Sequence, residues 1–337
     1  GLVALAAALF IAPGAAGGAL GWLPSMAFVA QACAAALVLF ALVAGVCRHF
    51  ASEQKLRVGK ELLDAMRPKQ RVEGVEYWRS QPVVEGGRID GAVLLTGATG
   101  FVGGGLLFAL LARARELGVS KIALLIRRRS GTPAEARLKE LRANPAFQSV
   151  LEMFDELVVA VEGDVTLQHF GWGDGFGEWP HKESLKAVLH CAGDVRFDQP
   201  LKQAALSLIS ASLQVAQLAA RWGSKRFVFV STAFVHAVPS ATSVLQERLV
   251  ELRDFDPMEL YRDAMSHGRW AEKAMHELGF PNTYTFTKAI AEHLLLQGCA
   301  AEGLEAHIVR PSIVGPAWAA PFPGWAGDRP STIVAGA

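Results

Sequence analysis

The run Ala92-Val93-Leu94-Leu95-Thr96-Gly97-Ala98-Thr99-Gly100-Phe101-Val102-Gly103 carries the strongest structural signal in this chain. Its first four residues are apolar without interruption, as in a short strand buried on both faces of a parallel sheet. Residues 104–116 follow with an amphipathic pattern that reads as a helix. Between the two, Gly97 permits a tight turn, Gly100 lets the backbone approach a pyrophosphate, and Gly103 lets the helix pack close to the strand. The helix start offers free N–H groups and the positive end of a dipole to phosphate. A glycine pattern alone often matches by chance; the strand–turn–helix context gives this one its weight. Thr96, Gly97, Thr99, Gly100, Phe101, Val102 and Gly103 are therefore expected to bind a dinucleotide.

The next predicted strand, residues 121–126, ends in Arg127-Arg128-Arg129. A site for NAD would place Asp or Glu here, on the ribose hydroxyls. Arginines suit a 2′-phosphate, so NADPH is the expected cofactor, with Arg127 and Arg128 on that phosphate. The plainer reading, a solvated basic turn, is less favoured at a strand end. More short apolar runs follow at the spacing of alternating strands and helices. Residues 157–161 precede Gly163-Asp164-Val165, where Asp164 can accept from an adenine amino group. Residues 187–189 precede His190-Cys191-Ala192-Gly193. Residues 227–230 precede Ser231-Thr232, and residues 307–309 precede Arg310-Pro311-Ser312. Helices are expected over 133–142, 200–222 and 285–300. The pattern is a doubly wound α/β parallel sheet, in which ligands collect at the carboxyl ends of the strands. All these polar motifs fall at such ends.

Composition fits one such domain behind an apolar leader. The chain has 337 residues, 33 Lys+Arg against 32 Asp+Glu, and 51% hydrophobic residues. Balanced charge argues against a protein that coats nucleic acid, and the apolar share argues against disorder. Cys33, Cys47, Cys191 and Cys299 form no CxxC pair, so neither a disulfide-stapled fold nor a zinc ribbon is expected. The mean hydropathy of +0.26 is high, and its source is local: residues 1–47 hold no acidic, basic or histidine side chain. Within them, residues 26–47 contain Gln31 as the one polar side chain, and 22 residues suffice to span a bilayer as a helix. Residues 2–12 form a shorter apolar run, broken by Pro13, Gly14, Gly17 and Gly18. Arg48, Lys55, Arg57, Lys60, Arg67, Lys69 and Arg71 then supply a basic flank, which favours the cytosolic side. The expected division is a membrane anchor over 1–47, a basic linker over 48–89 and a dinucleotide-binding domain over 90–337. A buried core helix or a removed transit peptide is the alternative for the leader. The start at Gly1 and the end at Ala337 read as a piece of a longer protein.

Tyr284 and Lys288, from the run Tyr284-Thr285-Phe286-Thr287-Lys288, are four apart and share one face of a helix. A phenol titrates near ~10 and exchanges protons poorly at neutral pH. A neighbouring cation is expected to lower that value, which suits the general acid of a carbonyl reductase. Thr232, at a strand end about fifty residues earlier, can hydrogen-bond the reacting carbonyl. Ser231 is the alternative if the role lies one place away. The Tyr-x-x-x-Lys spacing is common on solvated helices; its position downstream of the glycine turn and the Ser-Thr strand end gives it meaning here. His190, His236 and His307 lack metal-ligand spacing and are expected to be satisfied core groups. No metal site is expected, and nothing marks Cys191 as a nucleophile.

Together these residues resemble an extended short-chain dehydrogenase/reductase. The segment His190-Cys191-Ala192-Gly193-Asp194-Val195-Arg196-Phe197-Asp198 is similar to one found in fatty acyl-CoA reductases. So are Pro281-Asn282-Thr283-Tyr284, the run Val309-Arg310-Pro311-Ser312-Ile313-Val314-Gly315-Pro316, and Pro321-Phe322-Pro323-Gly324-Trp325. The similarity spans about residues 90–327. It implies a Rossmann fold and NADPH-dependent reduction of a long-chain acyl-CoA to a fatty alcohol, in two hydride steps through an aldehyde. Carried onto this chain, Thr232 and Tyr284 orient and protonate the thioester oxygen. The hemithioacetal expels CoA thiolate, and the same pair serves the second reduction. Lys288 lowers the tyrosine pKa and bonds the nicotinamide ribose. Tyr284 also contacts the cofactor, and Cys191, Ala192, Gly193, Val165, Pro311, Ser312 and Val314 line it, residues 310–314 at its nicotinamide end.

The implied partners are a long-chain acyl-CoA and the lipid bilayer of the endoplasmic reticulum or peroxisome, with no nucleic acid; a homo-oligomer is left open. Three departures stand out, one being the position of the hydrophobic leader, since many members anchor near the C-terminus. Members carry an Asn on the helix after the Val-Arg-Phe segment, where this chain has Leu206-Ser207-Leu208-Ile209-Ser210, and their C-terminal helical region is not within these residues. An aldehyde-releasing reductase, one acting on a carrier-protein thioester, or a catalytically silent NADP(H)-binding scaffold are the alternatives. A sterol- or sugar-nucleotide-directed relative is disfavoured by the Phe322-Pro323-Gly324-Trp325 block.

Overall fold

A computed structural model describes residues 74–80, 87–173, 179, 181–236 and 247–327. The expected anchor, the shorter apolar run and the basic flank lie outside the described residues.

Six strands form one sheet in the order β3-β2-β1-β4-β5-β6: β1 Gly91–Thr96, β2 Val119–Ile126, β3 Val158–Glu162, β4 Leu185–His190, β5 Arg226–Val230 and β6 Glu305–Val309. Every neighbouring pair is parallel. The helices of seven or more residues are α1 Gly74–Ser80, α2 Phe101–Ala112, α3 Ala134–Ala143, α4 Leu151–Leu157, α5 Leu201–Arg221, α6 Pro257–Met265, α7 Arg269–Glu277 and α8 Thr283–Ala301. Each strand expected from the sequence is present, and α2, α3, α5 and α8 stand where helices were expected.

The strand residues show why the sheet is covered on both faces. Side chains alternate across a strand. Ala92 and Leu94 of β1 therefore join the core built with α5, α6, α7 and α8, while Val93 and Leu95 join the core built with α2 and α4. All four are fully buried. This is the double winding that the uninterrupted apolar strands predict. The strand order reverses between β1 and β4, so the crevice beyond their carboxyl ends is the ligand position of such a fold.

Two features depart from a simple reading. Helix α5 contains a π-type turn at Ala205–Ser210. It is the one helix among the described residues long and apolar enough to cross a bilayer, yet 56% of it is buried within the fold. The range expected to be a linker carries α1, whose Gly74 N–H donates to the Ala319 carbonyl at 2.9 Å.

Candidate active site

The glycine turn is built by contacts that exclude a side chain. Gly97 has φ +75°, and a Cβ there would lie 2.7 Å from the Ala192 nitrogen at the end of β4. A Cβ on Gly103 would fall on the Gly97 carbonyl. Gly100 heads α2 in extended backbone with no side-chain cap, so its first turn keeps its N–H groups for another acceptor. Gly104 and Gly105 leave a hollow for the Trp325 ring, which would be 3.3 Å from a Cβ on Gly104. That ring also packs against Phe101, with centroids 5.1 Å apart, and so ties the segment after β6 to the helix that follows the glycine turn.

A directed chain of hydrogen bonds locks the ends of β1 and β4 together. Ser212 Oγ donates to the Leu208 carbonyl at 2.6 Å, so it accepts from His190 Nε2 at 2.9 Å. His190 Nδ1 is then the acceptor for Thr96 Oγ1 at 2.8 Å, and Thr96 Oγ1 accepts the Ala192 N–H at 3.1 Å. Burial holds the imidazole neutral, with its pKa pushed down to about 3 and the Lys288 charge adding to the effect. His190 is thus the satisfied core group expected. His307 is not: it lies half-exposed on edge strand β6, with Nε2 3.2 Å from Glu305.

Helix α8 brings Tyr284 and Lys288 to the carboxyl end of β5. Asn282 caps it by accepting the Thr285 N–H at 2.9 Å, and Phe280 before the cap packs on Phe286 at 5.3 Å. Tyr284 meets the Thr232 hydroxyl, and its ring packs on Phe197 at 5.5 Å. Lys288 donates to the Val230 carbonyl at 2.8 Å, with Nζ 4.3 Å from the centre of the Phe229 ring. Both side chains thus address one strand end, as the i,i+4 spacing requires.

The direction of the tyrosine shift differs from the sequence expectation. Burial raises the phenol pKa, and the Thr232 hydroxyl offsets part of that rise. Burial pushes the Lys288 ammonium down to about 8, opposed by Cys191 and Glu292. Burial likewise lifts the Cys191 thiol to about 12, the range of an unreactive thiol. Ser231 has a buried hydroxyl with no hydrogen-bond partner among the described residues.

One turn beyond Lys288, Glu292 is fully buried and bidentate to Arg310 at 2.8 and 2.7 Å. With Ser231 N–H on the Val309 carbonyl and Ala233 N–H on that of Pro311, both at 2.8 Å, this pair fixes the exit of β6 beside Thr232. Ser312 and Val314 lie exposed just beyond. Gly193 is close to Lys288 and to Leu208 of the π-type turn: its Cβ would lie 2.9 Å from Leu208 Cδ2 and 3.8 Å from Lys288 Nζ.

On the adenosine side the expected residues separate. Arg128 turns to Glu162, with Nη2 2.8 Å from Oε1, while Glu162 Oε2 accepts the Ala134 N–H at the start of α3. Arg127 stays exposed, its nearest acid Asp164 at 4.0 Å. Asp164 accepts from the Thr166 N–H at 2.9 Å and its hydroxyl at 2.7 Å, and Val165 packs on the core. Arg137 of α3, which no sequence pattern marked, donates to the Arg127 carbonyl at 2.8 Å and to Thr99 Oγ1 at 3.2 Å. The uncapped helix start, the close-approach glycines and the orphaned Ser231 hydroxyl at the same strand ends suit a dinucleotide cofactor.

A model of the NAD-binding family described as male sterility protein matches residues 95–335. Fatty acyl-CoA reductase 1 of Gallus gallus is 33% identical over 248 residues, which cover 69% of this chain and 45% of that protein. The Homo sapiens protein of the same name is 32% identical over 240 residues, with the same coverage. The chain therefore spans a little under half the length of the curated relatives it matches. Among solved structures, the terminal R domain of the myxalamid biosynthetic pathway is similar, with TM-score 0.49 and 22% identity over 67% of this chain and 50% of that one. The matched region runs from β1 through the Tyr284–Lys288 helix to the segment after β6, and the chain belongs to the male sterility protein family, alongside relatives named fatty acyl-CoA reductase.

Proposed function

We propose that this chain carries the reductase domain of an NADPH-dependent fatty acyl-CoA reductase, converting a long-chain acyl-CoA to a fatty alcohol by way of the aldehyde. The observation that carries the reading is the meeting of Thr232, Tyr284 and Lys288 at the end of β5, beside the crevice that holds the glycine turn. Bound NADPH supplies the hydride. The chain's own residues bind, orient and protonate. The glycine turn and the first turn of α2 receive the pyrophosphate, and Cys191, Ala192 and Gly193 border the crevice from β4. Tyr284, held by Thr232, donates its proton to the thioester oxygen, takes one back from the hemithioacetal hydroxyl as CoA thiolate leaves and the aldehyde forms, and donates again to the aldehyde oxygen. Burial keeps the phenol protonated and ready to donate, while the Thr232 hydroxyl works against the rise in its pKa. Lys288, cationic at neutral pH with a pKa of about 8, then stabilises the phenolate. The Ser231 hydroxyl, buried without a partner among the described residues, is available to a ligand group.

An apolar substrate is supported by where the exposed hydrophobic residues fall. Val195 and Phe197 follow β4, Phe234 follows β5, and Ile313, Val314, Trp318 and Phe322 follow β6. All lie in segments that leave the carboxyl ends of three adjacent strands, and Phe197 packs on the Tyr284 ring. The apolar run 26–47 supports a membrane anchor in this reading, the basic flank after Cys47 favours a cytosolic domain, and the resemblance to fatty acyl-CoA reductases points to the endoplasmic reticulum or peroxisome.

The full chain in isolated membranes, given NADPH and palmitoyl-CoA, tests the reading by identification of the extracted lipids. Fatty alcohol is expected. Aldehyde as the end product would remove the second reduction, and neither product with NADPH still bound would overturn the enzymatic reading. The anchor predicts that the chain stays with the pellet after alkaline carbonate washing; release into the supernatant would overturn it.

A further inference from the structure

We infer that Arg137, and not Arg128, works with Arg127 as the determinant that selects NADPH over NADH; the inference rests on the NADPH reading above. Arg128 is occupied. Both its Nε, at 3.1 Å, and its Nη2, at 2.8 Å, donate to Glu162 Oε1, and Glu162 is itself fastened to the start of α3. That arrangement is a strut between the ends of β2 and β3. Directing Arg128 to a ligand would leave Glu162 without its cation.

Arg137 is placed differently. It leaves the first turn of α3 and lies across the gap between the β2 exit and the glycine turn, with one nitrogen on the Arg127 carbonyl and another on Thr99 Oγ1. In a doubly wound fold the adenosine ribose lies between these two segments, because the pyrophosphate sits on the glycine turn and the ribose hydroxyls face the end of the second strand. Arg137 reaches both the Arg127 carbonyl and Thr99, so the cations at the β2 exit gather beside the glycine turn; partial burial, then the Arg129 and Arg127 charges, disfavour its protonated form, with Glu140 opposing. An anion with two negative charges relieves that repulsion, and a planar guanidinium grips it through two parallel bonds. A plain ribose hydroxyl does neither. Arg137 therefore contributes to NADPH affinity and little to NADH affinity.

Direct binding to the full chain tests this without turnover. NADPH and NADH are titrated by the change in their own fluorescence, and 2′,5′-ADP and 5′-AMP by calorimetry. Arg137→Ala is expected to weaken NADPH and 2′,5′-ADP by 10-fold or more, while NADH and 5′-AMP change less than about twofold. Arg137→Lys, which keeps the charge and loses the fork, recovers part of the preference. Arg128→Ala leaves the NADPH-to-NADH ratio as in the native chain. A ratio that survives Arg137→Ala and collapses in Arg128→Ala overturns the inference alone, as does an equal loss of both nucleotides in Arg137→Ala with an unchanged thermal melt. Equal native affinity for NADPH and NADH overturns the 2′-phosphate reading beneath it as well.

Discussion

The His190 imidazole has no exposed surface and a hydrogen bond at each nitrogen, so its neutral form is part of the folded state. The pH consequence has a definite sign. The folded pKa of about 3 lies below the ordinary 6.5, so between those values the unfolded chain binds the proton and the folded chain does not. This group therefore removes stability as pH falls from about 6.5 toward about 3. Urea midpoints of the native chain and of His190→Gln, followed over that range, check it: the native advantage should shrink steadily with acid, and a constant difference would contradict the assignment. Tyr284 and Lys288 illustrate what single residues disclose in a sequence. Their shared face follows from spacing four on a helix. The direction of the phenol shift was not legible, because burial and the neighbouring Thr232 and Phe197 come from segments far apart in the chain. Arg137 was equally silent: its meaning comes from Thr99 across the β1–β2 gap, not from its neighbours in α3.

Among the elements, the glycine turn is where the sequence spoke most clearly, and the contacts rank its glycines. A methyl at position 103 collides with the Gly97 carbonyl, while one at position 100 stops 3.3 Å from the same oxygen in extended backbone that any residue adopts. Gly103→Ala should lower stability by about 1–3 kcal/mol or more, the range for overpacking. Gly100→Ala should fold within about 0.5 kcal/mol of the native chain, as exposed substitutions do. Thermal melts of the two variants decide, and equal losses would remove the packing role of Gly103.

The second element-scale prediction concerns the join of α8 to β6. Glu292→Gln leaves Arg310 without its carboxylate in a site where 16% of the Arg310 side chain is exposed. Breaking such a pair costs about 3 kcal/mol or more, whereas Glu292→Met with Arg310→Met, which removes both charges, should recover most of it. A single variant as stable as native would show that the pair holds nothing. Other elements were harder to read. Strands β1 to β6 announced themselves as apolar runs, and α5 by its length. The π-type turn of α5 has no local signature in the sequence; in the fold its Ser210 hydroxyl meets the Tyr261 hydroxyl of α6 at 2.8 Å. Helix α6 did have one, since Asp256 caps it by accepting the Glu259 N–H at 2.8 Å and Pro257 follows at the first helical position.

For the molecule as a whole, the strand order 3-2-1-4-5-6 explains how motifs spread over more than two hundred residues serve one chemistry. The glycine turn after β1, the Cys191–Gly193 segment after β4, Ser231 and Thr232 after β5 and the Pro311–Ser312 segment after β6 all leave the same edge of the sheet. Helix α8 lays Tyr284 and Lys288 across that edge, and Trp325 returns the chain onto α2 beside the glycine turn. Sequence order alone implied this gathering, because ligands in such sheets collect at the carboxyl ends of the strands. Which side chains would be spent on internal bonds, as Arg128 and Asp164 are, required the three-dimensional arrangement.

The central claim is that Tyr284 delivers the proton at this edge while the nucleotide is held elsewhere in the crevice. A single-turnover experiment with the full chain, NADPH and palmitoyl-CoA, set beside direct NADPH titration, measures both halves in the native chain and in Tyr284→Phe. The account predicts a fall in the rate of NADPH oxidation of about 100-fold or more, with NADPH affinity within about threefold of native, since in this account the phenol serves the substrate oxygen and not the nucleotide phosphates. An undiminished rate in Tyr284→Phe would contradict it.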